Sequence, residues 1–129
     1  MLKLFYGNFL EMPKSLMVAL CICLISPLLF LARIYFDHSI EYSWFFFVIF
    51  FSFYFHFYAG ILLLNKSIKF LMVFFCSGFL VSFSPLVYHP YGTEEWLMYL
   101  MSSFFNLSII LILYIYIKTS TKVKEYFGV

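Results

Sequence analysis

Four long apolar blocks constrain this 129-residue chain more than any other feature of its sequence. They cover Ser15 to Phe36, Tyr42 to Leu64, Phe70 to Tyr88 and Trp96 to Ile117, so each holds about 19 to 23 residues. At about 1.5 Å of rise per residue, a helix of that length matches a hydrocarbon core about 30 Å thick. The blocks therefore predict four membrane-spanning segments.

The composition excludes an ordinary water-soluble domain. Hydrophobic residues make up 65% of the chain and charged residues 11%, whereas soluble domains are about half apolar and about a quarter charged. Backbone groups in lipid need partners inside the protein, which leaves helices or a closed barrel. Because hydrophobicity in the blocks is continuous and does not alternate, we predict an all-α integral membrane protein, with one four-helix transmembrane domain over residues 1–129.

The basic residues predict the orientation of the four spans. Seven lysines fall before the first span, between the second and third, and after the fourth: Lys3, Lys14, Lys66, Lys69, Lys118, Lys122 and Lys124. The other side holds one basic residue, Arg33, with four acidic residues, Asp37, Glu41, Glu94 and Glu95. Cytoplasmic segments of membrane proteins are enriched in lysine and arginine. Both termini are therefore predicted to be cytoplasmic.

Two similar segments raise the hypothesis of an internal duplication. Residues 14–21 (KSLMVALC) and 69–76 (KFLMVFFC) share five of eight residues at the same spacing. A Ser-Pro-Leu triplet follows each segment, at Pro27 and at Pro85, and each proline is expected to bend or loosen its helix. On this hypothesis the chain consists of two tandem helical hairpins that enter the membrane in the same sense.

Small and polar residues interrupt the spans at helical spacing. Ser52, His56 and Gly60 are four residues apart, so they lie along one face of the second span. The third span offers Gly78 and Ser82, and the fourth offers Ser102, Ser103 and Asn106. Helices in lipid associate through small residues and interhelical hydrogen bonds. We therefore predict a packing seam formed by Ser52, His56, Gly60, Gly78, Ser82, Ser102 and Asn106.

His56 is the candidate for a function beyond packing, because an ionisable residue inside a membrane span is a functional candidate by default. The alternatives are a haem ligand, a proton relay, or a neutral histidine that forms a hydrogen bond, with Asn106 as the expected partner. Haem with two histidine ligands needs a second histidine at similar depth, but His38 and His89 belong to the predicted outer loops. We expect the neutral packing role and no cofactor.

No pattern in the sequence predicts catalysis or metal binding. Cys21, Cys23 and Cys76 all lie inside spans, where cysteine behaves as a small apolar residue. The acidic and histidine residues of the outer loops follow no metal-ligand spacing. We therefore expect a non-enzymatic protein without a metal site, and no nucleic-acid partner, because topology already explains the lysines.

The expected function is that of a membrane subunit which self-associates and anchors a cytoplasmic partner. The lysines Lys66, Lys69, Lys118, Lys122 and Lys124 are the expected contact with that partner or with anionic lipid. A phenylalanine-rich chain suits an AT-rich gene, which favours a bacterial inner-membrane protein such as the membrane component of an antiphage defence complex. The alternatives are an immunity protein against a pore-forming toxin, a small respiratory subunit of the bacterial or mitochondrial inner membrane, and an oligomeric channel.

Overall fold

A computed structural model describes residues 1–37, 40, 42–88 and 95–129, and the described residues that belong to regular elements are all helical. In chain order the helices are α1 (Leu2–Leu10), α2 (Lys14–Phe36), α3 (Trp44–Leu64), α4 (Lys69–Val81), α5 (Pro85–Tyr88), α6 (Trp96–Thr119) and α7 (Thr121–Phe127). Short turns join α1 to α2, α3 to α4 and α6 to α7.

Four of these segments are helical and are long and apolar enough to cross a membrane, as the sequence predicts. They are Lys14–Phe36, Trp44–Leu64, Lys69–Val87 and Trp96–Thr119. The short terminal helices α1 and α7 lie outside the predicted spans. Many large apolar side chains on the spans are exposed in the isolated chain, as expected for helices that face lipid.

The third span is not one continuous helix. Its α-helix ends at Val81, three turn residues follow, and Pro85 begins the short helix α5. Proline has no N–H group and crowds the preceding turn, so it suits the start of a helix better than its interior. Pro27, in contrast, lies inside the uninterrupted helix α2. Of the two prolines expected to loosen their helices, Pro85 follows a break and Pro27 does not.

The buried apolar residues form two clusters. The larger one, here called the terminal cluster, comprises Met12, Leu16, Ala19, Leu20, Cys23, Ala59, Leu63, Phe70, Phe74, Ile110, Ile117, Val123 and Tyr126. The smaller one, here called the aromatic cluster, comprises Phe30, Ile40, Phe46, Ile49, Phe53 and Val87. In the aromatic cluster the rings of Phe30 and Phe53 stack with centroids 4.3 Å apart. The two clusters occupy opposite halves of the bundle.

Both terminal helices pack at the end of the bundle where α3 stops. The last carbonyl groups of a helix have no partner within it. The side chain of Asn8 donates a hydrogen bond to the Leu64 carbonyl at 2.7 Å, and the Tyr126 hydroxyl donates to the Leu63 carbonyl at 3.1 Å. Residues of α1 and α7 thus cap the C-terminus of α3. We call this region, with the turn 65–68, the terminal end.

The turn after α3 is closed by backbone hydrogen bonds as well. The Lys66 N–H donates to the Leu63 carbonyl and the Ser67 N–H donates to the Leu62 carbonyl, both at 3.0 Å. This pair of bonds is a Schellman motif, which requires a left-handed residue just beyond the helix cap. Lys66 supplies that residue with φ of 54°, although glycine adopts this conformation at lower cost.

The two segments behind the duplication hypothesis begin at corresponding places, because Lys14 starts α2 and Lys69 starts α4. The helices diverge later, where α2 continues through Pro27 and α4 stops before Pro85. The tandem-hairpin origin stays a hypothesis.

Candidate functional site: a polar cleft beside His56

His56 lies in the middle of α3 and is fully buried. Its Nδ1 is 2.8 Å from the Oγ of Ser77 on α4. That hydroxyl also lies 2.6 Å from the Val73 carbonyl, to which it donates its one hydrogen. With that hydrogen engaged, the Ser77 oxygen accepts from Nδ1–H of the imidazole, which in a neutral ring leaves the lone pair at Nε2. The ring also stacks on Phe74, with centroids 5.5 Å apart.

A cleft of about 430 Å³ adjoins His56, between the terminal and aromatic clusters. Its polar lining comprises Ser26 and Arg33 of α2, His56 of α3, Ser82 and Ser84 at the break in the third span, and Asn106 of α6. Apolar side chains of α2, α3 and α6 complete the walls, among them Ile22, Phe30, Phe53 and Ile110.

Several polar groups in the cleft have no hydrogen-bond partner within the described part of the chain. His56 Nε2 is buried and unpaired there. The side chains of Ser26, Ser84 and Asn106 likewise form no hydrogen bond with any described residue. The Ser82 hydroxyl, in contrast, donates to the Gly78 carbonyl at 2.7 Å.

The charged residue of the cleft is Arg33, whose Nε lies 3.7 Å from the Asp37 carboxylate one turn later. Ser26 and Arg33 are seven residues apart on α2, which places both on one helical face with a separation of about 10 Å along the axis. The cleft thus extends from the middle of the bundle towards the end of α2, away from the terminal end.

The two seam glycines allow close contacts between helices. A side chain at Gly60 would meet Cys23 Cβ at 3.2 Å and Leu24 at 3.3 Å, so α2 packs against α3 there. A side chain at Gly78 would meet Ile110 at 3.0 Å and the His56 ring at 3.5 Å. Gly78 therefore brings α4 and α6 together beside the histidine.

The serines of the predicted seam differ in their placement. Ser52 and Ser82 are buried, and the Ser52 hydroxyl donates to the Val48 carbonyl of its own helix at 2.6 Å. Ser102, in contrast, is exposed, and its neighbour Ser103 is buried and donates to the Tyr99 carbonyl. One residue turns a helix by about 100°, so within a single copy Ser103 faces inward and Ser102 faces outward; a packing role for Ser102 stays a prediction.

The partner of His56 also differs from the expectation. Asn106 is half-buried and lines the same cleft, but the hydrogen bond from the ring goes to Ser77. Ser77 was missed in the sequence because the adjacent Gly78 gave the stronger packing signal. Ser84 also lines the cleft, and the signal in the sequence for its position there is the helix break that Pro85 predicts.

The lysines assigned to the basic face are not equivalent. Lys66 is half-buried, its Nζ lies 2.5 Å from the Glu11 carboxylate, and it stands 5.1 Å above the Tyr126 ring. The other four are exposed: Lys69, Lys118, Lys122 and Lys124. Lys66 thus joins the residue after α1, the turn 65–68 and α7. The other four lie on the surface, where Lys118 Nζ is 5.8 Å from the centroid of the Tyr114 ring.

Tyr126 is the titratable group most affected by packing at the terminal end. Burial, with a further contribution from the Glu11 carboxylate, raises the pKa of Tyr126 to about 12. A neutral hydroxyl is therefore retained there as the donor to α3 over the physiological pH range.

Among the described residues, no group of three or more histidine, cysteine, aspartate or glutamate side chains is arranged to hold a metal ion. Cys21 and Cys76 are exposed and Cys23 is buried, and all three are free thiols. Four residues of the predicted acidic outer surface, His38, Glu41, His89 and Glu94, lie outside the described residues.

Comparison of the chain with protein-family models, with curated proteins and with solved structures found no match.

Proposed function

We propose that this protein is a non-enzymatic membrane subunit that self-associates and holds a cytoplasmic protein at its terminal end. The observation that supports the proposal most is the ordered terminal end itself. There the hydrogen bonds of Asn8 and Tyr126 join α1 and α7 to the end of α3, and the Lys66–Glu11 ion pair joins the turn 65–68 to the residue after α1. Four exposed lysines lie on this structured surface or beside it.

The proposed orientation places both termini in the cytoplasm. The lysine asymmetry supports it, since cytoplasmic segments are enriched in basic residues. A reporter fused after Val129 tests it. Fluorescence of a C-terminal green fluorescent protein is expected, and activity of a C-terminal alkaline phosphatase would contradict the orientation.

Partner binding is tested by affinity purification in mild detergent followed by mass spectrometry. We expect a soluble protein to copurify with the natural chain, and expect its recovery to fall when Lys69, Lys118, Lys122 and Lys124 are all changed to glutamate. The matched control changes the same four residues to arginine and keeps the charge, so it should retain the partner. Equal recovery with both variants would exclude the lysines as the contact.

Self-association is proposed to involve α6, the span with the fewest buried residues. It buries Ser103, Ile110 and Ile117, whereas α3 buries eight residues. Cysteine cross-linking in a cysteine-free background tests this: Ser102→Cys on the exposed side of α6 should form a disulfide-linked dimer. Leu28→Cys on the exposed side of α2 is the control and should not. Equal cross-linking of the Ser102→Cys and Leu28→Cys variants would indicate random collision between chains and would contradict an interface at α6.

Among biological settings we propose the membrane component of a bacterial antiphage defence complex in the inner membrane. Such a subunit should copurify with an effector and have little effect when expressed alone. An immunity protein would protect cells from a toxin by itself, and a respiratory subunit would copurify with a multi-subunit redox complex. A channel would conduct ions in a planar bilayer. The terminal cluster fills one half of the bundle, so a pore through a single copy is not favoured.

A further inference from the structure

The polar cleft supports an inference that does not depend on the proposed self-association or on the proposed cytoplasmic partner. Ser26, His56, Ser84 and Asn106 line one cavity. Neither His56 Nε2, which is buried in the cavity wall, nor the side chains of the other three residues have a hydrogen-bond partner among the described residues. In the hydrocarbon region an unpaired polar group is strongly unfavourable, because lipid offers neither donors nor acceptors. Four such groups in one cavity require a hydrogen-bonding occupant.

We infer that the cleft is an aqueous vestibule that brings water, from the Arg33 end, to the ring of His56. The occupant is water because the four groups mix donors and acceptors and line the wall at different depths. His56 Nε2 accepts, the hydroxyls of Ser26 and Ser84 do both, and the Asn106 amide does both through different atoms. A volume of about 430 Å³ holds several water molecules, each of which occupies about 30 Å³ in the liquid.

The entrance is at the end that carries charge. Arg33, paired with Asp37, lies within one turn of the end of α2 at Phe36. An ion pair is stable near the membrane surface, where water reaches it, and much less so in the bilayer centre. His56 is twelve residues into α3, or about 18 Å from its start. The vestibule therefore crosses about half of the bilayer.

The vestibule ends at His56. Beyond the ring lie Phe74, which stacks on it, and Gly78, whose close contact with Ile110 leaves no space between α4 and α6. Phe74 and Ile110 belong to the terminal cluster. A single copy thus offers water and small hydrophilic solutes access to one neutral histidine from one side, without a path through the membrane.

Cysteine reactivity in lipid nanodiscs tests the vestibule, with a charged methanethiosulfonate reagent as the probe. These reagents attack thiolates, and thiolates form only where water reaches the sulfur. The background carries Cys21→Ala, Cys23→Ala and Cys76→Ala. Ser26→Cys is compared with Ile25→Cys, which lies at the same depth on the exposed side of α2. Asn106→Cys is compared in the same way with Phe105→Cys on α6.

We expect each cleft cysteine to react at least about tenfold faster than its neighbour, because the neighbour faces lipid and stays a thiol. Equal rates within a pair, in protein with unchanged elution and helical content, would overturn the inference. The two pairs of cysteine variants lie on different helices, α2 and α6. If a variant of one pair fails to fold, the reaction rates of the other pair test the vestibule. Nanodiscs expose both membrane faces, so the result does not depend on the proposed orientation or on a partner.

Discussion

The two halves of the bundle are built on different principles. At the terminal end, one continuous apolar cluster is closed by α1 and α7, and the last carbonyls of α3 receive donors from Asn8 and Tyr126. In the other half, the third span breaks before Pro85, the apolar cluster is smaller, and a polar cleft separates it from the rest. Packing and capping stabilise the terminal end, whereas in the other half a polar cleft beside His56 takes the place of tight apolar packing.

The largest expected difference concerns the buried rings of the two halves. Phe74→Ala in the terminal cluster should lower the free energy of unfolding by about 3 to 5 kcal/mol, since Phe74 is fully buried and the cavity cannot fill. Phe30→Ala should cost less, because Phe30 lines the cleft and the new space joins it. Denaturation in mixed detergent micelles measures both.

The control for this comparison is Phe55→Ala, which removes a ring that is 54% exposed on the surface of α3. It should change the free energy of unfolding little. If Phe30→Ala lowers the free energy of unfolding as much as Phe74→Ala does, the two halves of the bundle are equally well packed, which would contradict the difference between them.

The second prediction concerns the boundary between the halves. Ser77→Ala leaves the Nδ1–H of His56 buried without an acceptor and should cost about 1 to 3 kcal/mol of unfolding free energy. Ser103→Ala is the matched control, because Ser103 is also buried but bonds to a carbonyl of its own helix. Similar losses for both variants would mean that the His56–Ser77 bond contributes nothing specific.

The third prediction concerns the cap on α3. Tyr126→Phe removes the hydroxyl that donates to the Leu63 carbonyl and should cost about 1 kcal/mol of unfolding free energy. Tyr35→Phe, on an exposed tyrosine of α2, should be neutral.

The pH dependence of stability checks the same contact. The folded-state pKa of Tyr126 is raised to about 12, from the usual value of 10 in the unfolded chain. Between these values the folded protein retains a proton that the unfolded chain has lost, so stability should fall as pH rises from about 10 to 12. Tyr126→Phe should reduce this slope. An unchanged slope would contradict the burial of this hydroxyl.

The smallest expected effect is at Lys66. Lys66→Gly relieves the left-handed backbone strain but loses the ion pair with Glu11. Each contribution is about 1 kcal/mol or less and they oppose each other, so the net change should be a few tenths of a kcal/mol. Lys66→Ala keeps the strain and loses the pair, so it should be less stable than Lys66→Gly. The reverse order would exclude strain at this turn.

The four spans could be predicted from sequence because lipid imposes a simple rule of length and continuous hydrophobicity. The outward position of Ser102 could not, since all faces of α6 are similarly apolar and hydrophobicity does not indicate which face packs. The terminal helices were missed because α1 and α7 are short and depend on contacts with the end of α3.

The candidate site was predictable only in part. The spacing of Ser52, His56 and Gly60 indicated the buried face of α3, since a four-residue repeat stays on one side of a helix. To predict the cleft, one would need the position of the break before Pro85 and the distances between α2 and α6. Both depend on tertiary packing, which cannot be deduced from the spacing of residues in the sequence.

The inferred vestibule depends on one arrangement: Ser77 fixes the His56 ring, and water from the cleft reaches Nε2, which is buried in the cleft wall. Solid-state nitrogen NMR in bilayers tests it most directly, with His38→Gln and His89→Gln so that His56 is the sole histidine. At neutral pH we expect a neutral ring protonated at Nδ1, with Nε2 unprotonated and receiving magnetisation from water. A ring protonated at Nε2, or one without water contact, would contradict it.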